Sequence, residues 1–184
     1  MSTRSTTVRA KAARERLRRS YLPKPARLLF VGESPPASGR FFYQADSGLY
    51  RAIRRTFMRA FPEIRKEDFL ATFRALGCYL VDLCGEPVDD LDAKQRKRIC
   101  GAGETRLART IRKLQPETIV TLVLAIAPNV ERAIELSRWK RRHIQLPYPG
   151  RWKRNRTAFD RALRPFLQHE LQSGMSMISR SSVC

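Results

Sequence analysis

The segment of this chain best suited to chemistry is Gly32-Glu33-Ser34-Pro35-Pro36. A carboxylate follows directly on the apolar run Arg27-Leu28-Leu29-Phe30-Val31, in a turn that two prolines stiffen, so Glu33 can be held in place to orient a water molecule. Gly32, Ser34 and Pro35 would shape the wall beside it. Taken alone, a Glu in a Gly/Pro turn is ordinarily solvated, so its neighbours decide the matter. Phe41-Phe42-Tyr43 comes next, and such rings either line a core or offer a flat face to a planar ligand. Both readings stand here, with Phe41 assigned to the core. A second carboxylate, Asp82, stands near the end of another apolar run, Tyr79-Leu80-Val81-Asp82-Leu83.

A different chemistry is concentrated further on. Between Arg138 and Arg156 there are eight basic residues and no acidic ones: Arg138, Lys140, Arg141, Arg142, Arg151, Lys153, Arg154 and Arg156. Trp139 and Trp152 are interleaved with them, around the loop Pro147-Tyr148-Pro149-Gly150. Basic side chains neutralise phosphates with release of counterions, and indoles stack on exposed bases, so the segment reads as a nucleic-acid track with steep salt dependence. A solvated basic face with core-anchored indoles is the competing reading. His143 precedes the loop, and its expected role is structural.

The whole chain agrees with a polyanionic partner. Its 184 residues carry 37 Lys and Arg against 17 Asp and Glu, for a formal net charge of +20 and a pI near 11.1. Solubility does not require such an excess, and nucleic acid is the leading candidate. No apolar run approaches the roughly 18 residues of a spanning helix, so no membrane partner is expected. The four cysteines (Cys78, Cys84, Cys100, Cys184) are too sparse for a disulfide scaffold, and no secretory apolar region opens the chain. A reducing compartment follows, with the protein in the cytoplasm, on the nucleoid if bacterial. Residues 1–24 hold eight Arg or Lys against Glu15 alone, which reads as a disordered basic arm or equally as an organelle transit peptide. Residues 173–184 read as a flexible tail, leaving one domain over 25–172 and a monomer.

The elements that position these residues are legible from apolar periodicity. Residues 27–31 suit a buried strand, and Ser47 can cap a helix with Leu49, Ile53, Phe57 and Phe61 on one stripe. Residues 79–83 form a second strand, followed by a helix over 93–114 that Gly101 and Gly103 are placed to break. Thr118-Ile119-Val120-Thr121-Leu122-Val123-Leu124 is apolar on both faces, as in a central parallel strand. A Pro128-led helix to Ser137, a strand over 143–146, a loop over 147–155 and a final helix with Phe159, Leu163, Leu167 and Leu171 in register complete the pattern. Alternating strands and helices predict a three-layer α/β/α fold around a four-stranded, mostly parallel sheet. Such sheets bind ligands beyond the carboxyl ends of their strands.

Leu28-Leu29-Phe30-Val31-Gly32-Glu33-Ser34-Pro35-Pro36, followed by Gly39-Arg40-Phe41-Phe42, resembles the first motif of the uracil-DNA glycosylase superfamily. The similarity is to the iron–sulphur branch, whose pattern runs Gly-Glu-Ala-Pro-Gly and then Gly-Arg-Pro-Phe. Cys84 and Cys100 have the separation of two cluster cysteines of that branch, and Leu114-Gln115-Pro116-Glu117-Thr118-Ile119-Val120-Thr121-Leu122 resembles the segment after them. The resemblance spans most of residues 27–160. It implies that Glu33 orients the attacking water and that Phe42 stacks on an extruded base, with Tyr43 assisting.

Three departures from the family pattern qualify what it implies. The second motif, His-Pro-Ser-Pro, is replaced here by Leu146-Pro147-Tyr148-Pro149-Gly150, so the histidine beside the base is lost, and Arg151 or a backbone N–H would have to serve. The base-reading asparagine falls at Leu80, and Asp82 on the same strand face is its expected substitute. An ionised Asp only accepts hydrogen bonds, which suits a base edge rich in N–H groups, so a deaminated purine or modified cytosine fits as well as uracil. An iron–sulphur cluster needs four cysteine ligands, and no cysteine lies before Gly32 to supply the other pair, so no cofactor or metal is expected. The implied function is a monofunctional DNA glycosylase. A DNA-binding module without turnover and an RNA- or ribosome-associated protein are the alternatives.

Overall fold

The computed structural model describes residues 2–150 and 152–181, with the side chains of 2–8, 173 and 176–181 left aside. Four strands, β1 (Leu28–Gly32), β2 (Cys78–Asp82), β3 (Thr118–Thr121) and β4 (Arg142–Gln145), form one sheet in the order β2-β1-β3-β4 with every pairing parallel. Six helices accompany them: α1 (Ser2–Ser20), α2 (Gly48–Ala60), α3 (Phe69–Ala75), α4 (Ala93–Leu114), α5 (Ala127–Ser137) and α6 (Lys153–Ser181). Helix α2 packs on α6 and α4 on α5, which gives the expected three-layer α/β/α arrangement. No helix among the described residues is long and apolar enough to cross a membrane.

The core follows from the pattern of the sequence. All five residues of β1 are buried, as the central position of β1 requires. Helix α2 turns Ile53, Phe57 and Phe61 inward, and its cap is Ser47, whose hydroxyl accepts from the Tyr50 N–H at 3.1 Å. Helix α3 was not anticipated; its seven residues bring Phe69 and Phe73 into an aromatic cluster with Phe30 and Phe57.

Four expectations need correction. Residues 2–24 are not a disordered arm: α1 covers Ser2–Ser20, the Ala, Arg, Lys and Glu of its second half being strong helix formers, and Leu17, with Tyr21 and Leu22 just beyond the helix, packs against the core. Tyr21 stacks on Tyr43 with centroids 5.2 Å apart, and Lys11 pairs with Glu86 at 3.0 Å. Residues 173–181 are not a frayed tail either, because Leu171 and Met175 extend the buried stripe of α6; 182–184, with Cys184, lie outside the described residues. Gly103 does not break α4. A Cβ there would stand 2.3 Å from the Leu83 carbonyl oxygen, so the glycine lets the helix lie directly on the segment after β2. Finally, β3 stops at Thr121 rather than 124, where its partners also stop. The last bonds are Leu122 N–H to Val31 O at 2.9 Å and Leu146 N–H to Thr121 O at 2.8 Å, and Leu124 is exposed.

Candidate functional site

The chain leaves β1 for β2 on one side and later places β3 on the other, which opens a crevice at the carboxyl ends of the central strands. A cavity of about 740 Å³ fills it. Its wall comes from the loop after β1 (Gly32, Glu33, Ser34, Pro35, Pro36, Ser38, Arg40), from Phe41 and Phe42, and from the start of α2. Leu80 and Asp82 of β2, Val123 after β3, Tyr148-Pro149-Gly150 after β4, and Arg156 of α6 complete it. Every strand contributes at the same end, and the volume is that of a small-molecule pocket.

Glu33 is the fixed point of this cavity. Its backbone carbonyl accepts from the Cys84 N–H at 2.7 Å, prolonging the β1–β2 ladder by one residue beyond the strands. Its side chain, 14% exposed, takes a bidentate ion pair from Arg96 of α4, with Nε–Oε1 at 2.6 Å and Nη2–Oε2 at 2.5 Å. Each carboxylate oxygen retains a second lone pair, so a water can still be accepted and oriented from the cavity side. Asp89, a second carboxylate on the cavity wall, ties down the turn by accepting from the Ala37 N–H at 2.8 Å.

Asp82 lies at the base of the same cavity, against Gly32. A Cβ on Gly32 would come within 2.9 Å of Asp82 Oδ1, so glycine is what permits the two strand ends to carry a carboxylate between them. Burial pushes the Asp82 carboxyl up to about 6, against the opposing pull of Arg18, Arg106 and Arg14. Arg106 holds the strand end through the backbone carbonyls of Asp82 and Leu83, at 2.6 and 2.8 Å.

The remaining expected site residues divide sharply. Phe42 lines the cavity, wedged edge-on against Tyr43 and Tyr50, and Phe41, assigned to the core, is buried and lines it as well. Tyr43 is a correction: it does not reach the cavity, because its hydroxyl donates to Leu80 O at 3.1 Å and accepts from Leu80 N–H at 2.7 Å, closing the outer edge of β2. Tyr148, Pro149, Gly150 and Arg156, read from the sequence as a nucleic-acid track, line the cavity, and Lys153 lines a smaller cleft beside it. Trp152 is 70% exposed, and neither it nor Arg154 lines either cavity. Arg151 lies outside the described residues.

The first half of the basic segment is elsewhere altogether. Arg138 caps the end of α5, and the chain then enters β4 at its amino end, where Arg142 is in register with Thr118. Arg138, Lys140, Arg141 and Arg142 therefore stand at the amino edge of the sheet, a full strand length from the cavity. There Arg141 donates to Gln115 O and Arg142 pairs with Glu170, while Trp139 is buried with its Nε1–H on Pro116 O at 2.8 Å. The sequence brings these residues close to the loop, but the strand between them carries the chain across the molecule. Leu146, which the resemblance sets in place of a histidine, is buried outside the cavity. His143 bonds Thr121 Oγ1 across β3–β4 at 2.8 Å, and burial lowers its pKa, in keeping with a structural role.

Cys84 and Cys100 do meet, with their sulphurs 3.6 Å apart, and Cys100 Sγ lies 3.9 Å from Glu33 Oε1. Burial pushes Cys84 up to about 12, so both behave as packed thiols. Among the described residues no group of three or more His, Cys, Asp or Glu is arranged to hold a metal ion. Arg96 was missed by sequence reasoning, although a signal existed. It precedes Cys100 by one helical turn, so a helix face that brings Cys100 to the end of β2 brings Arg96 there too.

Comparison with protein-family models and with curated proteins finds no match to this chain.

Proposed function

We propose that the protein is a DNA glycosylase that removes a deaminated or damaged base from an extruded nucleotide. The observation that carries this reading is the placement of Glu33: a carboxylate oriented by Arg96, on the wall of a cavity floored by Phe41 and Phe42, with Asp82 at its base. An extruded base would lie in this cavity with the exposed Tyr148 at the rim and Asp82 accepting from its N–H edge, and buried Phe42 would meet it only through the small part of its ring that lines the wall. Water held by Glu33 would attack C1′ as the bond from C1′ to the base nitrogen breaks. The water's proton passes to solvent through Glu33, and the base leaves with the bonding pair and is then protonated. Arg40, Arg51, Arg55 and Arg156 around the cavity favour both the DNA and the negative charge that develops on the leaving base. With Leu146 buried away from the cavity, no histidine donor meets that charge, and losing one such donor costs about a hundred- to a thousandfold in rate.

A second reading rests on the same pair of observations. Both Glu33 oxygens are engaged by Arg96 and the histidine position is apolar, which favours a protein that binds an extruded base without releasing it. Oligonucleotides carrying uracil, hypoxanthine or xanthine, single- and double-stranded, separate the two when strand cleavage is scored after alkali. Cleavage at one of these bases identifies the substrate. Intact strands throughout, with tight binding, select the second reading.

A further inference from the structure

A second cleft of about 270 Å³ adjoins the first and shares Ala52, Arg55, Pro149 and Arg156 with it. Four cations surround it, Arg55 and Arg59 from α2 and Lys153 and Arg156 from α6, against one carboxylate, Asp160. That carboxylate is already committed: it accepts from Thr56 Oγ1 at 2.9 Å and from Arg59 Nη1 at 3.1 Å. Arg55 and Lys153 are both exposed and have no hydrogen-bonding or ionic partner among the described residues. The two helices pack on each other, joined by Thr56 and Arg59 on one and Asp160 on the other with Phe159 and Leu163 buried beneath, and this packing forces the cations into one place. The positive end of α6, which starts at Lys153, adds to them.

Asp160 is spent on Arg59 and Thr56, so the repulsion between Arg55 and Lys153 is left standing, and an anion with more than one acceptor oxygen would relieve it. We propose that this cleft binds the phosphodiester next to the nucleotide whose base enters the larger cavity. The assignment rests on the glycosylase reading for its geometry, since the shared wall sets the two clefts side by side, one for a planar apolar group and one for an anion. A guanidinium fork from Arg55 and the Lys153 ammonium would hold the two non-bridging oxygens and fix the strand's direction across the site.

The test uses the full chain and single-stranded uracil oligonucleotides in which each phosphate within three nucleotides of the uracil is replaced, one at a time, by a neutral methylphosphonate. Binding is read by fluorescence anisotropy. A charged hydrogen-bonded contact predicts a loss of about tenfold or more in affinity at the one or two phosphates beside the uracil, and little elsewhere. In Lys153→Gln and in Arg55→Gln that local effect should shrink to about twofold, with the salt slope falling by about one for each cation removed. Small equal effects at every phosphate, or a local effect that survives both substitutions, would overturn the assignment. The same oligonucleotides report base release, so the two ideas fail separately. A local phosphate effect without release keeps the cleft and removes the enzyme, and release without a local effect does the reverse.

Discussion

Asp82→Asn should make the protein more stable at alkaline pH and change it little in acid. Burial between the ends of β1 and β2 raises the Asp82 carboxyl from 3.8 to about 6, so the folded protein holds this proton more tightly than the unfolded chain does. The sign follows from linkage: any stability due to the protonated form is present below about pH 4 and is lost as pH rises through 6. At pH 8 the ionised carboxylate then costs about 3 kcal/mol, at roughly 1.4 kcal/mol per pH unit of difference. The pull of the three arginines is already contained in that shift, and solvent reaching the carboxylate from the cavity side screens it further, so about 1–2 kcal/mol is expected. Urea denaturation of both proteins at pH 3 and pH 8 measures it. The variant's midpoint should rise at pH 8 and match the wild type at pH 3. An equal difference at the two pH values, or a variant less stable at pH 8, would refute the reasoning and show Asp82 to be held by a specific ionic contact.

Other substitutions probe other parts of the site. Tyr43→Phe removes the hydroxyl that meets the outward Leu80 N–H and C=O, and should cost about 1–3 kcal/mol in urea denaturation without altering the cavity. Gly103→Ala drives a methyl against the Leu83 backbone, which cannot give way as a side chain can. A loss of about 1–3 kcal/mol or more should appear in the thermal midpoint, because α4 must lift. Lys140→Gln and Arg141→Gln lie at the amino edge of the sheet, and each should change DNA affinity by less than about twofold, whereas Arg156→Gln at the cavity should weaken it about tenfold in an anisotropy titration.

Much of the fold was legible because the strands and most helices are written in local pattern. The boundaries of β1, β2 and β4 fall within one residue of their periodicity, and the Ser47 cap and its apolar stripe form as read. What escaped depends on partners distant in sequence. The basic composition of residues 1–24 hides three apolar residues near the end of α1, whose docking surface exists only once β2 and Tyr43 are in place. Gly103 reads as a breaker until Leu83 is known to press on it. In the site, Glu33 and Asp82 came from positions at strand ends and Phe42 only from the resemblance, and all three line the cavity. Arg96 was missed, because its one-turn spacing from Cys100 becomes informative only once Cys100 is known to meet the end of β2. Charge density misled most: Arg138 to Arg142 and Lys153 to Arg156 form one basic segment in sequence, yet β4 separates them to opposite ends of the sheet.

Single-turnover base release by the wild type and by Glu33→Gln, measured beside the affinity of each for the same oligonucleotide, tests the central claim most directly. Glutamine keeps the size of the side chain and an acceptor oxygen but has no charge with which to orient and deprotonate water. The account predicts a fall in release of at least about a hundredfold with affinity changed by less than about threefold. Equal release by the two proteins, or a loss of binding in proportion to the loss of release, would contradict it.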